Sequence, residues 1–200
     1  MRKDLDDCLD LIKSEKIREF VKRALNKAPK EFWTAPCSSS GKYHPPEDNV
    51  EGGVIVHVRK AIQVALTLFK FFDITDQLIK DKIIGAIILH DIKKNGDPWG
   101  DRTHPEHGLI AARWLNEILN TYSREEATYY CNSDLIDMIE LVRNHMGIWN
   151  QPESTPALVL RKRCLSQRHV LHLIVQLADY WASRKWCSFV CDKFDKCSDD

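Results

Sequence analysis

The sequence has almost no alternation of apolar and polar residues, no Cys-x-x-Cys pair, no excess charge and no long apolar run. Each lack excludes something. Without period-two patterning, a sheet cannot be the main framework. Without paired cysteines a zinc ribbon has no ligand knuckles. The seven cysteines, at 8, 37, 131, 164, 187, 191 and 197, are an odd, scattered set, read as reduced thiols rather than a disulfide framework. Cys187 and Cys191 stand at helical spacing near Cys197 and are given no role. Lys+Arg and Asp+Glu both number 29, so no global field argues for nucleic acid or membrane. The longest apolar run, Ile83 to Leu89, includes Gly85 and falls far short of the roughly 20 residues that span a bilayer. The charged start, Met1-Arg2-Lys3-Asp4, lacks the apolar stretch of a signal peptide. No internal repeat is visible. The expectation is a soluble, cytoplasmic protein with no membrane partner.

What is present is apolar residues recurring every three or four positions, the pattern of helices with one buried face. It predicts an amphipathic helix over 4–28, with Leu5, Leu9, Ile12, Ile17, Phe20, Val21 and Leu25 available for burial. Residues 29–52, rich in Pro, Ser and Gly, read as a long loop. Helices follow over about 54–72 and 76–92. Thr103-His104-Pro105-Glu106 reads as a capping box opening another, and Ser123-Arg124-Glu125-Glu126 as a second such start. A helix over about 133–146 stops at Gly147, and further ones cover 156–165 and 167–187. The class is all-α, a compact multi-helix domain. It divides into an N-terminal helix and linker (1–36), a main helical domain (37–187) and a polar tail (188–200).

The chemistry lies in histidines at helix boundaries or on aliphatic helices. His57 follows Gly53-Val54-Ile55-Val56, His90-Asp91 follows the apolar stretch ending at Leu89, and Asp179 lies in Leu177-Ala178-Asp179-Tyr180. Any one alone suits a hydrogen-bonded core residue. Together they change the reading, because a buried carboxylate without a partner costs several kcal/mol and buried imidazoles also demand partners. A shared divalent cation satisfies all of them. Imidazole nitrogen and carboxylate oxygen suit Mn, Fe, Co, Ni or Zn, and Mg tolerates the carboxylates. Adjacent residues on a helix point about 100° apart, so the His-Asp pair is best served by a helix end.

The order His57 … His90-Asp91 … Asp179, with the pair inside Leu89-His90-Asp91-Ile92-Lys93-Lys94, resembles the HD superfamily of metal-dependent phosphohydrolases over roughly residues 50–185. The resemblance implies that His57, His90, Asp91 and Asp179 hold one metal. Lys94 keeps the family's phosphate-facing lysine, while Lys93 replaces its usual glycine. Binuclear branches add a histidine in a His-Pro-x-x-Gly-like segment, matched by His104-Pro105-Glu106-His107-Gly108, and a downstream His-His pair. Asn144-His145 matches that pair with Asn in first place. A second metal is then held by Asp91, His104 and His145, one ligand short. His107, a turn from His104, either substitutes or stands behind the ligands. The segment Ser40-Gly41-Lys42-Tyr43-His44-Pro45-Pro46 is similar to the approach loop of HD domains associated with 3′-to-5′ exoribonucleases and of stand-alone HD proteins. It implies Lys42 and His44 at the pocket.

The implied activity is hydrolysis of a phosphate ester by metal-activated water, with a nucleotide as the expected substrate and RNA or single-stranded DNA as further ones. Asp91 orients the nucleophile, Lys94 with Lys42 or Arg102 neutralises phosphoryl charge, and His104 (or His107) protonates the leaving oxygen. Two alternatives use nearly the same ligands: a di-iron oxygenase, and a nucleotide-binding module of low turnover. On the last helix His169, His172, Gln176, Asp179 and Ser183 form a polar stripe suited to a pocket wall. Arg161, Lys162, Arg163 and Arg168 form a small basic cluster that could attract phosphate. Substrate identity and oligomeric state stay open.

Overall fold

The computed structural model describes residues 3–38, 41–122, 133–147 and 167–186. Among them are eight α-helices and no strand: α1 (Asp6–Asp10), α2 (Glu15–Asn26), α3 (Lys30–Thr34), α4 (Gly53–Phe71), α5 (Gln77–Leu89), α6 (His107–Asn120), α7 (Ser133–Arg143) and α8 (Gln167–Ala182). Two 3₁₀ turns, Lys3–Leu5 and Pro46–Asp48, complete the set. The all-α expectation holds. None of these helices is long and apolar enough to cross a membrane. The expected 156–165 helix, the Ser123 start signal, Arg161, Lys162, Arg163 and the cysteines at 131, 164, 187, 191 and 197 lie outside the described residues, as do the side chains of Arg168 and His169.

Helix α5 is the centre. Its Ile83, Ile84, Ile87, Ile88 and Leu89 are all at most 2% exposed, so it is apolar on nearly every side, as a helix enclosed by others must be. It packs against α2, α4, α7 and α8. A side chain at Gly85 would press on Met138 Sδ at 2.6 Å and crowd Ile17 and Val21, so this glycine lets α2 and α7 approach α5 closely. Every apolar residue named for burial over 4–28 is buried.

That segment is nevertheless two helices. The chain breaks at 11–14, where the Asp81 carboxylate of α5 accepts from the backbone N–H of Lys13 (3.1 Å) and Ser14 (2.6 Å). Ser14 Oγ in turn caps α2 by accepting from Ile17 N at 3.4 Å. A tertiary carboxylate thus satisfies the donors that a continuous helix would have used internally. The helix expected from Thr103 opens only at His107, without a side-chain cap, because His104 Nδ1 accepts from Glu106 N at 3.1 Å and holds a turn there.

The 29–52 loop contains α3 and the second 3₁₀ turn and is docked on the start of α4. Cys37 N donates to Asp48 O (2.7 Å), Gly52 N to Thr34 O (2.9 Å) and Val54 N to Ala35 O (3.2 Å). Lys60, fully buried on α4, reaches Glu47 and Asp48 at 2.8 Å each. Gly53 is where the two backbones meet, since a Cβ there would lie 1.8 Å from Asp48 O and 2.9 Å from Cys37 N. Backbone cannot swing aside as a flexible side chain can. Gly53→Ala is therefore expected to cost about 3 kcal/mol, at the upper end of overpacking effects, read as a lower urea midpoint with unchanged slope. An unchanged midpoint would contradict this docking.

Candidate metal centre

Five elements deliver ionisable side chains to one buried region. His57 is on the second turn of α4, fully buried. His90 is the C-cap of α5, with Asp91 in the turn beyond it, each 1% exposed. His107 is the first residue of α6, 2% exposed, and His145 follows the end of α7, 1% exposed. Asp179 comes from α8, its side chain 21% exposed. The His-Asp pair thus sits at a helix end, as its divergent side chains require.

The ligand atoms fall into two linked triads. In the first, His57 Nε2 is 3.0 Å from Asp179 Oδ1 and 3.3 Å from His90 Nε2, and His90 Nε2 is 3.6 Å from Asp179 Oδ1. In the second, His107 Nε2 is 3.2 Å from Asp91 Oδ1 and 2.9 Å from His145 Nε2. His90 Nε2 and Asp91 Oδ2, 3.5 Å apart, join them.

The hydrogen bonds behind these atoms set what the atoms can do. His90 Nδ1 donates to Ile87 O (2.6 Å), His107 Nδ1 to His104 O (2.7 Å) and His145 Nδ1 to Val142 O (2.7 Å). The Ile87 and Val142 carbonyls belong to final helical turns, which lack intrahelical partners. With Nδ1 holding the proton, a neutral ring presents a bare lone pair at Nε2. With both rings neutral, lone pairs of His107 and His145 would face each other at 2.9 Å, beside carboxylates that also only accept. Such a set repels itself unless a cation lies between its members. Two ligands about 2.1 Å from one ion are separated by about 3.0 Å at octahedral and about 3.4 Å at tetrahedral angles. The observed 2.9–3.6 Å lie close to those polyhedron edges. The residues present fit a divalent cation in either triad.

Electrostatics agree. Burial pushes the Asp91 carboxyl up, but Lys94 first, then His90 and His107, overcome this and hold it well below the usual carboxylate range. Asp179 is likewise pushed up by burial yet held well below it by the adjoining His57 and His90 imidazoles. Burial and the neighbouring His107 and His90 push His145 down to about 3. Burial also lowers His57, against the pull of Asp179. His90 is raised, because Asp91 and Asp179 outweigh its burial. Anionic oxygens and neutral imidazoles, as at His57 and His145, are the states metal ligands need.

Of the four residues of the first expected site, His57, His90 and Asp179 come together, whereas Asp91 belongs to the second triad and adjoins the first through His90 at 3.5 Å. The second differs in one member: His107, not His104, brings its ring to Asp91 and His145. His104 contributes its carbonyl, which orients His107, while its own ring is engaged by Glu106 N. Spacing alone could not choose between two histidines one turn apart, since the helix start lies three residues later than the capping pattern implies. Asn144 turns away, its Nδ2 donating to Glu140 O at 2.9 Å.

Lys94, expected to face phosphate, is buried beside Asp91, pairs with its Oδ2 and lies 3.7 Å from Cys37 Sγ. Burial lowers its ammonium, but Asp91 and Cys37 more than offset this and keep it charged. His44, half-buried, stands edge-on to His57 with ring centroids 5.2 Å apart, so the approach loop reaches the cluster. Lys42 is exposed, its ammonium 5.1 Å from the Tyr43 ring, and Arg102 is exposed in the connection before α6. On α8 the stripe is enclosed: Ser183 is buried, His172 and Gln176 are half-buried, and Gln176 lies against Gly147. Cys37 was no candidate in the sequence, where a single cysteine after a proline carries no signal. No family model matches the chain, and no curated protein or solved structure matches it with significance.

Proposed function

We propose that this chain is a metal-dependent phosphohydrolase of the HD type, cleaving a phosphate ester of a nucleotide or a nucleic-acid end. The observation that carries the reading is the set of carbonyl-anchored imidazoles whose Nε2 atoms converge with two carboxylates. His57, His90 and Asp179 would hold one cation, and Asp91, His107 and His145 a second. A bound divalent cation supplies Lewis acidity and a nucleophile at neutral pH. Asp91, kept ionised by Lys94, orients the attacking oxygen by accepting its hydrogen bond. Lys94, sequestered against Asp91, acts through that carboxylate and adds positive charge to the pocket. His44 lines the approach and is placed to contact the substrate, with Lys42 and Arg102 supplying positive charge from the exposed side. His104 lies outside the cluster, so protonation of the leaving oxygen falls to His44 or water.

The test is metal analysis of the purified protein, then phosphate release from nucleoside mono-, di-, tri- and cyclic phosphates and short oligonucleotides. Release supported by Mn, Mg, Ni or Co and lost with chelator is expected. One observation favours a second reading: each triad is two histidines and one carboxylate, the ligand set of non-haem iron oxygenases. Bound iron with oxygen-dependent turnover, and no phosphate release, would select it.

A further inference from the structure

A third corner of the cluster has different chemistry. Cys37 Sγ and His44 Nε2 are 3.8 Å apart, and a ring nitrogen of His57 lies within 4.8 Å of both. Sulfur and nitrogen ligands on one tetrahedral zinc-like ion, at about 2.3 and 2.1 Å, are separated by about 3.6 Å. The Cys37–His44 pair lies close to that edge. It is also built rather than incidental. Asp48 Oδ2 stands 3.5 Å behind His44 Nδ1, in the position of the carboxylates that orient metal-binding histidines. Asp48 is held by Lys60 at 2.8 Å, and its carbonyl accepts from Cys37 N at 2.7 Å. His57 Nδ1 is buried without a hydrogen-bond partner.

The donor set selects among cations. Both triads offer only nitrogen and oxygen, whereas Cys37 adds sulfur. A thiol gives up its proton when it ligates a cation. Mg and Mn are poor thiolate partners, whereas Zn and Cd bind thiolate well.

We propose that Cys37, His44 and His57 form an accessory position for a thiophilic divalent cation, and that filling it perturbs the His57 ring shared with Asp179 and His90 and so inhibits turnover. The Sγ–H proton passes to solvent as the metal–sulfur bond forms, with no change of oxidation state. The binding claim stands on the geometry alone, while the inhibition rests on the phosphohydrolase reading above.

The test is cadmium titration of the Mn-loaded, full-length protein, followed by the ultraviolet thiolate-to-cadmium charge-transfer band. Wild type, Cys37→Ser and His44→Gln are compared, with Cys37→Ala replacing the serine variant if a buried hydroxyl prevents folding. Loss of one cadmium equivalent with its share of the band in the Cys37 variant, and at least tenfold weaker binding of that equivalent in His44→Gln, is expected. The other cysteines keep their share throughout. Equal stoichiometry and equal band in wild type and the Cys37 variant overturn the site. In the activity arm, zinc inhibits wild type at a concentration at least tenfold below that needed for the Cys37 variant. Cadmium bound at Cys37 without inhibition overturns the coupling. A protein that binds cadmium there yet releases phosphate from no substrate keeps the site and rejects the phosphohydrolase reading alone.

Discussion

Asp91→Ala is expected to lower metal-supported phosphate release by at least about 10³-fold, equivalent to about 4 kcal/mol of lost transition-state stabilisation. Asp91 is where the two triads meet, with one oxygen 3.2 Å from His107 Nε2 and the other 3.5 Å from His90 Nε2. Its loss should therefore reduce metal content as well as turnover. It also leaves the buried Lys94 ammonium without its carboxylate, and stripping one partner from a buried pair typically costs about 3–5 kcal/mol. A dead protein could then simply be an unfolded one. Asp91→Ala combined with Lys94→Met separates these effects, because removing both charges should restore much of the thermal stability while metal and activity stay lost. Normal metal content and full phosphate release in folded Asp91→Ala would reject the assignment.

Removing the metal should have the next largest effect. The Nε2 atoms of His107 and His145, 2.9 Å apart, are a pair that a cation between them would stabilise. Cation at 100 times its dissociation constant is expected to stabilise the fold by about 2.7 kcal/mol over the chelated protein. The pH dependence has a definite sign. In the metal-free protein His57 lies below its ordinary 6.5, and His145 is pushed down to about 3. The unfolded chain takes up those protons as pH falls through 6.5, and the folded chain does not. Stability therefore declines on acidification below 6.5, by up to about 1.4 kcal/mol per pH unit for each histidine. For His145 that decline continues to about pH 3. His90 runs the other way. Its raised pKa contributes stability that is complete below 6.5 and lost as pH rises through the folded value. Ligand nitrogens must also shed protons to bind metal. The gain from Mn should thus grow from pH 5.5 to pH 8, measured by urea unfolding with and without chelator. Superimposable curves at pH 7.5 would show that the triads hold no cation.

The phosphohydrolase reading gains from convergence across distant parts of the chain. His57 and Asp179 are 122 residues apart in sequence yet touch at 3.0 Å, so their meeting is a property of the packed helices. The all-α class was legible because an apolar stripe every three or four residues is a local pattern, written in each segment. The candidate His-Asp pair was legible for the same reason: two side chains able to ligate a metal, in succession at the end of an apolar helix, stand out from a core pattern. The break at 11–14 was not, because the group that stabilises it, Asp81, is supplied from another helix.

By itself the sequence determined the class of the fold, the buried faces and the imidazole and carboxylate types that make a cation plausible, since propensity, periodicity and side-chain chemistry are local. Only the tertiary structure decided that His107 rather than His104 turns its ring inward, that Lys94 is sequestered beside Asp91, and that Cys37 joins the cluster. Those outcomes depend on where a helix starts and which backbone carbonyl anchors each ring. A shift of three residues at the head of α6 reverses the choice of histidine, and no spacing within one segment records it.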